Sequence, residues 1–217
     1  MNNSLKEYLN FANKLADVAG ITSMEYFRTS LSIDNKSDES PVTIADKNTE
    51  LKIRSLIENE YPDHGILGEE FDSVNPDAEF IWVIDPIDGT RSYIAGHKDF
   101  GNLISLTQNK KPIIGIINCP AHEERWVGAK NLSSTVNQQP ANTSSVKAIE
   151  DAYIFTSGLY FDEPHLRNAV DKIKNKVRYF RYGGDCYMYG MVASGLIDIV
   201  IEDTLKAHDY MALVNVI

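Results

Sequence analysis

Asp85 and Asp88 close an apolar run, Phe80-Ile81-Trp82-Val83-Ile84, in the string Asp85-Pro86-Ile87-Asp88-Gly89-Thr90. An aromatic and β-branched run bounded by Pro and Gly reads as a strand covered on both faces. Such strands present functional groups at their carboxyl ends, so both carboxylates are expected in a crevice. Pro86 lacks an N–H and disfavours helix at Asp85, and a turn there lets the Ile87 carbonyl point the same way as the carboxylates. Three hard oxygen donors in so short a span suit Mg²⁺, and the Gly89 and Thr90 N–H groups that follow are placed to receive a phosphate. The competing reading of the Asp pair alone is an acidic turn whose side chains cap their own backbone.

The elements around this string must bring other groups to it. Leu5, Tyr8, Leu9, Ala12, Leu15 and Ala19 fall at helical spacing after Ser4, a candidate N-cap, and predict a core-facing helix from Ser4 to about Phe27. The polar stretch from Ser30 to Pro41 predicts a loop or a strand pair with a flexible tip. A second helix follows, with Ile53, Leu56 and Ile57 on one face and Asp46 in its first turn, where a carboxylate complements the helix dipole. Ile66-Leu67 predicts a brief strand before Gly68-Glu69-Glu70. Leu103 to Thr107, Pro112 to Asn118 and Arg125 to Ala129 read as antiparallel strands, the first two joined through Gln108 to Lys111. Asn131 to Val146, rich in Ser, Thr, Asn, Gln and Pro, reads as a linker or an edge excursion, and divides the chain into parts 1–140 and 141–217, which together can also make one domain. Beyond it the pattern is strand (Ala152 to Thr156), helix (Glu163 to Lys174), strand (Val177 to Arg181), helix (Asp185 to Ser194) and strand (Ile197 to Ile201). That alternation predicts a second α/β layer pair with crossover connections, and Asp209 opens a last helical pattern.

With 217 residues, 43% of them hydrophobic, the chain can build a sizeable core. A formal charge of −10 argues against nucleic acid or an anionic membrane surface as partner, and implies that a phosphorylated substrate needs a metal to hold it. No apolar run is long enough to span a bilayer, and Met1-Asn2-Asn3-Ser4 lacks the features of a secretion signal, so a cytoplasmic protein is expected. Cys119 and Cys186 stand far apart and read as buried free thiols.

The string Trp82 to Thr90, preceded by Gly68-Glu69-Glu70, closely resembles the signature of the inositol monophosphatase-like family of Mg²⁺-dependent, Li⁺-sensitive phosphatases. The resemblance implies an α/β chain in the layered α-β-α-β-α sugar-phosphatase fold, commonly a homodimer, acting on a small phosphorylated metabolite. It also implies that Glu69, Asp85, the Ile87 carbonyl, Asp88 and Asp209 hold two or three Mg²⁺ ions, with Asp85 bridging, so that attacking and leaving oxygens are both stabilised. Taken by spacing alone, Asp209 is a helix N-cap. Thr90 and Asp46 match a pair that orients the attacking water, with Glu69 beside it. Lys36 matches a family lysine near the metals, or is a solvated surface cation.

Later segments are more similar to the histidinol-phosphate phosphatases of the same superfamily. They are Arg181-Tyr182-Gly183-Gly184-Asp185-Cys186-Tyr187, Arg91-Ser92-Tyr93-Ile94, and Arg125-Trp126-Val127-Gly128. Asp185 and Glu202 are acceptors suited to an ammonium and an imidazole N–H, with Arg181 beside them; the alternative is that the three pair among themselves. His208 stands where the related pattern has Trp or Tyr, and reads as a hydrogen-bonding neighbour of Asp209. The family pattern continues with Glu-x-Ala-Gly-Gly and a further strand, which do not follow Ile217. The resemblance therefore implies a histidinol-phosphate phosphatase. The alternatives are an inositol monophosphatase or broad small-molecule phosphatase of the same fold, and a binding protein with little turnover.

Overall fold

A computed structural model describes residues 3–30, 33–35, 41–158 and 164–217. Lys36 and the expected helix start at Glu163 lie outside the described residues. Helix α1 (Asn3–Tyr26) buries the stripe Phe11, Ala12, Leu15, Ala16 and Ala19. It starts before Ser4, which therefore sits in the first turn instead of capping it. Strands β1 (Ile33–Asn35) and β2 (Pro41–Thr43) pair antiparallel, so the polar stretch contains a strand pair. Helix α2 (Ile44–Glu60) begins at a capping box in which Thr43 is the N-cap and Asp46 reaches back to it.

The main sheet runs in the order β3 (Gly65–Gly68), β4 (Phe80–Asp88), β5 (Gly101–Gln108), β6 (Lys111–Cys119), β7 (Glu124–Ala129), β8 (Thr135–Val136) and β9 (Gln139–Pro140). β3 lies parallel to β4, and every other neighbour is antiparallel. The polar stretch after Asn131 is thus an edge excursion of this sheet. Alternation splits the apolar residues between two faces. Trp82, Ile84, Ile104, Leu106, Ile114 and Ile116 pack with α1 and α2, while Leu103, Ile117 and Trp126 face the opposite layer. Each such aliphatic side chain contributes about 1.5–3 kcal/mol by leaving water.

β4 does not stop at Asp85. It continues through Pro86 to Asp88, with a register shift between Asp85 and Asp88. Pro86 removes one ladder donor without forcing the chain out of extended conformation, and the result is a bulge that bends the strand. The interrupted ladder is repaired by side chains: Ile87 N donates to Asp85 Oδ1 at 3.0 Å, and Asn102 Nδ2 donates to Pro86 O at 2.7 Å.

A smaller parallel sheet has the order β11 (Tyr179–Tyr182), β10 (Tyr153–Thr156), β12 (Ile199–Val200). Helix α4 (Pro164–Lys174) joins β10 to β11, and α5 (Asp185–Ala193) joins β11 to β12. The two connections run in opposite directions across β10, so right-handed crossovers put α4 and α5 on opposite faces. α5 packs between the sheets through Cys186 and Ala193 on one side and Met188 and Val192 on the other. The layers are therefore helices, sheet, helix, sheet, helix. β11 starts two residues later than expected, and β12 is shorter than the expected strand Ile197 to Ile201.

The chain then returns to the main sheet in α6 (Ala207–Tyr210) and a 3₁₀ turn at Leu213–Asn215. Asp209 occupies the third helical position rather than the cap, which is Lys206. The expected longer helix breaks after Tyr210, where Ser105 Oγ shares its proton between Ile114 O at 2.9 Å and Met211 O at 3.2 Å, and Ala212, Leu213 and Val216 are buried. No described helix is long and apolar enough to cross a membrane.

Candidate active site

The carboxyl end of β4 meets the start of α6 at two groups of donor atoms. Glu69, Asp85 and His208 each offer one atom within 4.8 Å of the others, and so do Asp85, Asp88 and Asp209. Asp85 belongs to both groups and is only 2% exposed. Burial, then the Glu69, Asp88 and Asp209 charges, push its carboxyl well above the usual range. Burial followed by the Asp185 and Asp209 charges does the same to Asp88, against the opposing Cys186 contact. Asp209 is also raised, first by burial, although its bond from Lys206 N at 2.6 Å favours ionisation. Carboxylates gathered this closely repel one another unless a cation lies between them, so the donor set fits a divalent ion.

Each donor is fixed from behind. Cys186 N donates to Asp88 Oδ2 at 2.7 Å. The Gly68-Glu69-Glu70 turn rests on α2, where Glu50 Oε2 accepts from Glu70 N at 2.8 Å. A Cβ on Gly68 would stand 2.0 Å from Glu50 Oε1, so this seat requires glycine. Behind the bulge, Asn118 Nδ2 donates to Asn102 Oδ1 at 2.8 Å, and Arg125 Nε donates to Asn118 Oδ1 at 2.8 Å. This chain of polar groups ties the Pro86 carbonyl across β5 and β6 to Arg125 on β7.

Thr90 and Asp46, which the resemblance pairs, stand in loose contact. Thr90 Oγ1 lies 3.4 Å from Asp46 Oδ1 and 3.1 Å from Ile87 O, so its single proton serves one of the two at a time. Asp46 Oδ2 accepts from Thr43 N at 2.8 Å and from Thr43 Oγ1 at 2.6 Å. Its pKa is raised chiefly by burial, with the Thr43 bonds opposing. Capping and holding Thr90 are thus combined in one carboxylate. Gly89 precedes α3 (Thr90–Ile94) with φ +79°, and a Cβ there would meet Asp185 at 2.9 Å.

A cleft of about 340 Å³ opens beside the carboxylates, lined by Asp88, Arg91, Ser157, Asp185, Glu202 and Asp209 among others. Asp185 Oδ2 accepts from Ser92 Oγ at 2.5 Å, and Glu202 accepts from Ser157 Oγ and from Tyr189 OH, the latter at 2.5 Å. Asp185 and Glu202 thus have hydroxyl partners, and the expected grouping with Arg181 is not formed around them. Arg181 lies over the Phe155 ring at 5.7 Å and lines an adjoining cleft with His97, Asp99 and Tyr187. Sequence reasoning missed Ser157, Tyr189 and Glu50, all ordinary polar residues without a motif of their own, and gave no role to Ser92 within its quoted segment. It also placed His208 only beside Asp209; its Nε2 is 3.5 Å from Asp209 Oδ1, but the ring also approaches Glu69 and Asp85. A larger groove of about 920 Å³ lies between α1 and β6–β8 and contains none of these carboxylates.

Two sheets separated by α5, with carboxylates converging where β4 meets α6, define a layered sugar-phosphatase type of fold carrying a candidate divalent-metal centre. The profile of the Inositol monophosphatase family matches residues 4–217, and the chain belongs to that family. It is 40% identical over 98% of its length to "Bifunctional phosphatase IMPL2, chloroplastic" of Arabidopsis thaliana, of whose length it spans 62%. It is 34% identical to the histidinol-phosphatase of Chlorobaculum parvum, over 96% of this chain and 82% of that one. The structure of an inositol monophosphatase from Zymomonas mobilis superposes with a TM-score of 0.89 at 42% identity, covering 99% of this chain and 83% of that one.

Proposed function

We propose that this chain is a Mg²⁺-dependent phosphomonoesterase whose substrate is L-histidinol phosphate. The observation that carries the reading is the position of Asp85 in both donor groups, the second of which shares Asp88 and Asp209 with the acidic cleft. Glu69, Asp85, the Ile87 carbonyl, Asp88 and Asp209 would hold two or three Mg²⁺ ions. Such ions, when bound, neutralise the carboxylates and stabilise charge on the phosphoryl oxygens. Thr90 donates its proton to Asp46 and accepts from the attacking water, aiming that water at phosphorus. Glu69 is a second acceptor for the water's protons. The Gly89 and Thr90 amides receive the phosphate, and the departing alkoxide takes a proton from solvent water and leaves as histidinol.

The acidic cleft supports a cationic alcohol as leaving group. Asp185 and Glu202 accept from its ammonium and imidazole N–H, while Arg181 borders the adjoining space. A second reading, an inositol monophosphatase, is favoured by the name of the Zymomonas mobilis protein. The experiment is phosphate release from L-histidinol phosphate, inositol 1-phosphate and p-nitrophenyl phosphate by the purified chain in Mg²⁺. The expected result is the highest kcat/KM on histidinol phosphate. A preference for inositol 1-phosphate selects the second reading, and no release from any ester leaves a binding protein.

A further inference from the structure

Asn102, Asn118 and Arg125 stand opposite one another on β5, β6 and β7, so their side chains rise from one face of the sheet. Asp85 pairs with Leu103 and Asp88 with Gly101, which leaves Pro86 and Ile87 together opposite Asn102. The peptide between Pro86 and Ile87 thus links the two carboxylates of the bulge. It is held at both ends: Pro86 O accepts from Asn102 Nδ2 at 2.7 Å, and Ile87 N donates to Asp85 Oδ1 at 3.0 Å. The setting of this peptide and that of the Asp85 carboxylate are therefore one. Asn102 is fully buried and Asn118 is 4% exposed, whereas Arg125 reaches the large groove beside α1.

We infer that Arg125 and Asn118 are positioning residues for the metal centre: they fix which end of the Asn102 amide meets the Pro86 carbonyl, and through it the setting of Asp85. The inference rests on the proposed metal-dependent reading of the same site. Its logic follows from the donor types. A guanidinium only donates, and a peptide carbonyl only accepts. Arg125 Nε donates to Asn118 Oδ1 at 2.8 Å, which turns the Asn118 amide nitrogen toward Asn102 Oδ1 at 2.8 Å and Ala16 O at 3.2 Å. Asn102 Oδ1 accepts that bond, so its Nδ2 is the group that faces Pro86 O. Every bond in the row runs one way, from Arg125 to β4, and Arg125 is itself held by Asp17 Oδ1 at 2.7 Å from Nη2. In a buried row such bonds reinforce one another, and reversing one amide sets oxygen against oxygen.

The test is Asn118→Asp, which keeps the shape and the partner of Arg125 but offers Asn102 an acceptor where a donor stood. The Asn102 amide is then expected to turn over, to present Oδ1 to Pro86 O, and to displace the bulge. Equilibrium Mg²⁺ binding should weaken by about tenfold or more, the range typical when groups behind metal ligands are lost. In the metal-free protein the Ile87 amide hydrogen should exchange faster, a readout that needs neither metal nor turnover. Arg125→Met, at a partly exposed position, removes the donor that sets the direction of the row and guards against a folding defect of the buried variant. It should shift Mg²⁺ binding and Ile87 exchange in the same direction. Native Mg²⁺ binding and native Ile87 exchange in both variants overturn the inference. Faster exchange spread along β5 and β6, instead of confined to the bulge, overturns it too, because the row would then only hold the sheet together. Asp85→Asn separates the two failures. If it loses Mg²⁺ while Asn118→Asp and Arg125→Met bind like the native chain, only the role of the row is wrong. If Asp85→Asn itself binds Mg²⁺ normally, the metal-site reading fails and the inference fails with it.

Discussion

Arg54 Nε donates to Glu50 Oε1 at 2.7 Å inside the protein, and this pair clamps the loop that carries Glu69. Glu50 is fully buried, and its other oxygen accepts from Glu70 N. Arg54 continues to Phe71 O at 2.9 Å and Asp72 O at 3.0 Å. A helix residue pair therefore fixes the chain on the C-terminal side of Glu69.

Arg54→Met should accordingly destabilise the protein and lower turnover together. It leaves Glu50 charged and buried with a single remaining donor, a situation that costs about 3–5 kcal/mol. The checks are denaturant unfolding and kcat on any accepted phosphate ester. The double variant Glu50→Leu with Arg54→Met should recover part of the stability, because the unpaired charge is gone, but not the turnover. Native stability in Arg54→Met would show that the loop holds itself.

Thr90→Ala should reduce kcat far more than it weakens metal binding. The Thr90 hydroxyl contacts Asp46 and the Ile87 carbonyl and is not among the proposed metal ligands. General acid–base assistance is typically worth about 10²–10⁴ in rate. Turnover and Mg²⁺ titration on the same preparation decide this, and a loss in kcat below about threefold would make the contact with Asp46 structural.

His64 gives a pH dependence whose sign is fixed by its surroundings. Trp82 Nε1 donates to His64 Nδ1 at 3.2 Å, and the ring stacks on Tyr61 with centroids 4.7 Å apart. Burial lowers its pKa from the ordinary 6.5, against the raising influence of Asp63 and Glu79. The unfolded chain then takes up the proton first as pH falls. Stability is lost as pH drops through 6.5 and stops falling from this source below the folded pKa. His64→Gln should remove that component, read as the difference in urea midpoint between about pH 7.5 and about pH 5.5 for the two proteins. An identical pH response would show that His64 does not titrate in this window.

Much of this was legible in the sequence because the chemistry is local there. Asp85, Ile87, Asp88 and Thr90 share one short string, and Asp46 announces itself as a helix-start carboxylate. Glu50 and Arg54 were not legible, since Glu followed by Arg four residues later is the usual pattern of an exposed helix pair. Only the fold reveals that a loop covers them. Pro86 read as a strand end, whereas Asn102 and the Asp85 side chain let the strand continue past it. The place of Arg181 was not legible either. The resemblance of its segment put it with Asp185 and Glu202, whereas Gly183 and Gly184, both with positive φ, turn the chain after it and Arg181 lines the adjoining cleft.

Glu202→Gln is the substitution that separates substrate choice from the shared metal chemistry. Glu202 lines the acidic cleft, receives hydroxyl bonds from Ser157 and Tyr189, and lies outside both donor groups. An amide keeps the shape and one carbonyl acceptor while removing the charge. If Glu202 accepts from the ammonium or imidazole of histidinol phosphate, the charge-assisted bond it forms is worth about 1.5–3 kcal/mol. Its loss should lower kcat/KM on that substrate roughly ten- to a hundredfold. p-Nitrophenyl phosphate has no such donor, so its hydrolysis should change little. The two esters are measured with one preparation of the variant at the same Mg²⁺ concentration, which cancels any difference in folded fraction. Equal losses on both would mean that Glu202 acts through Ser157 and Tyr189 to hold the cleft, and the assignment would retreat to a monoesterase without preference for a cationic alcohol.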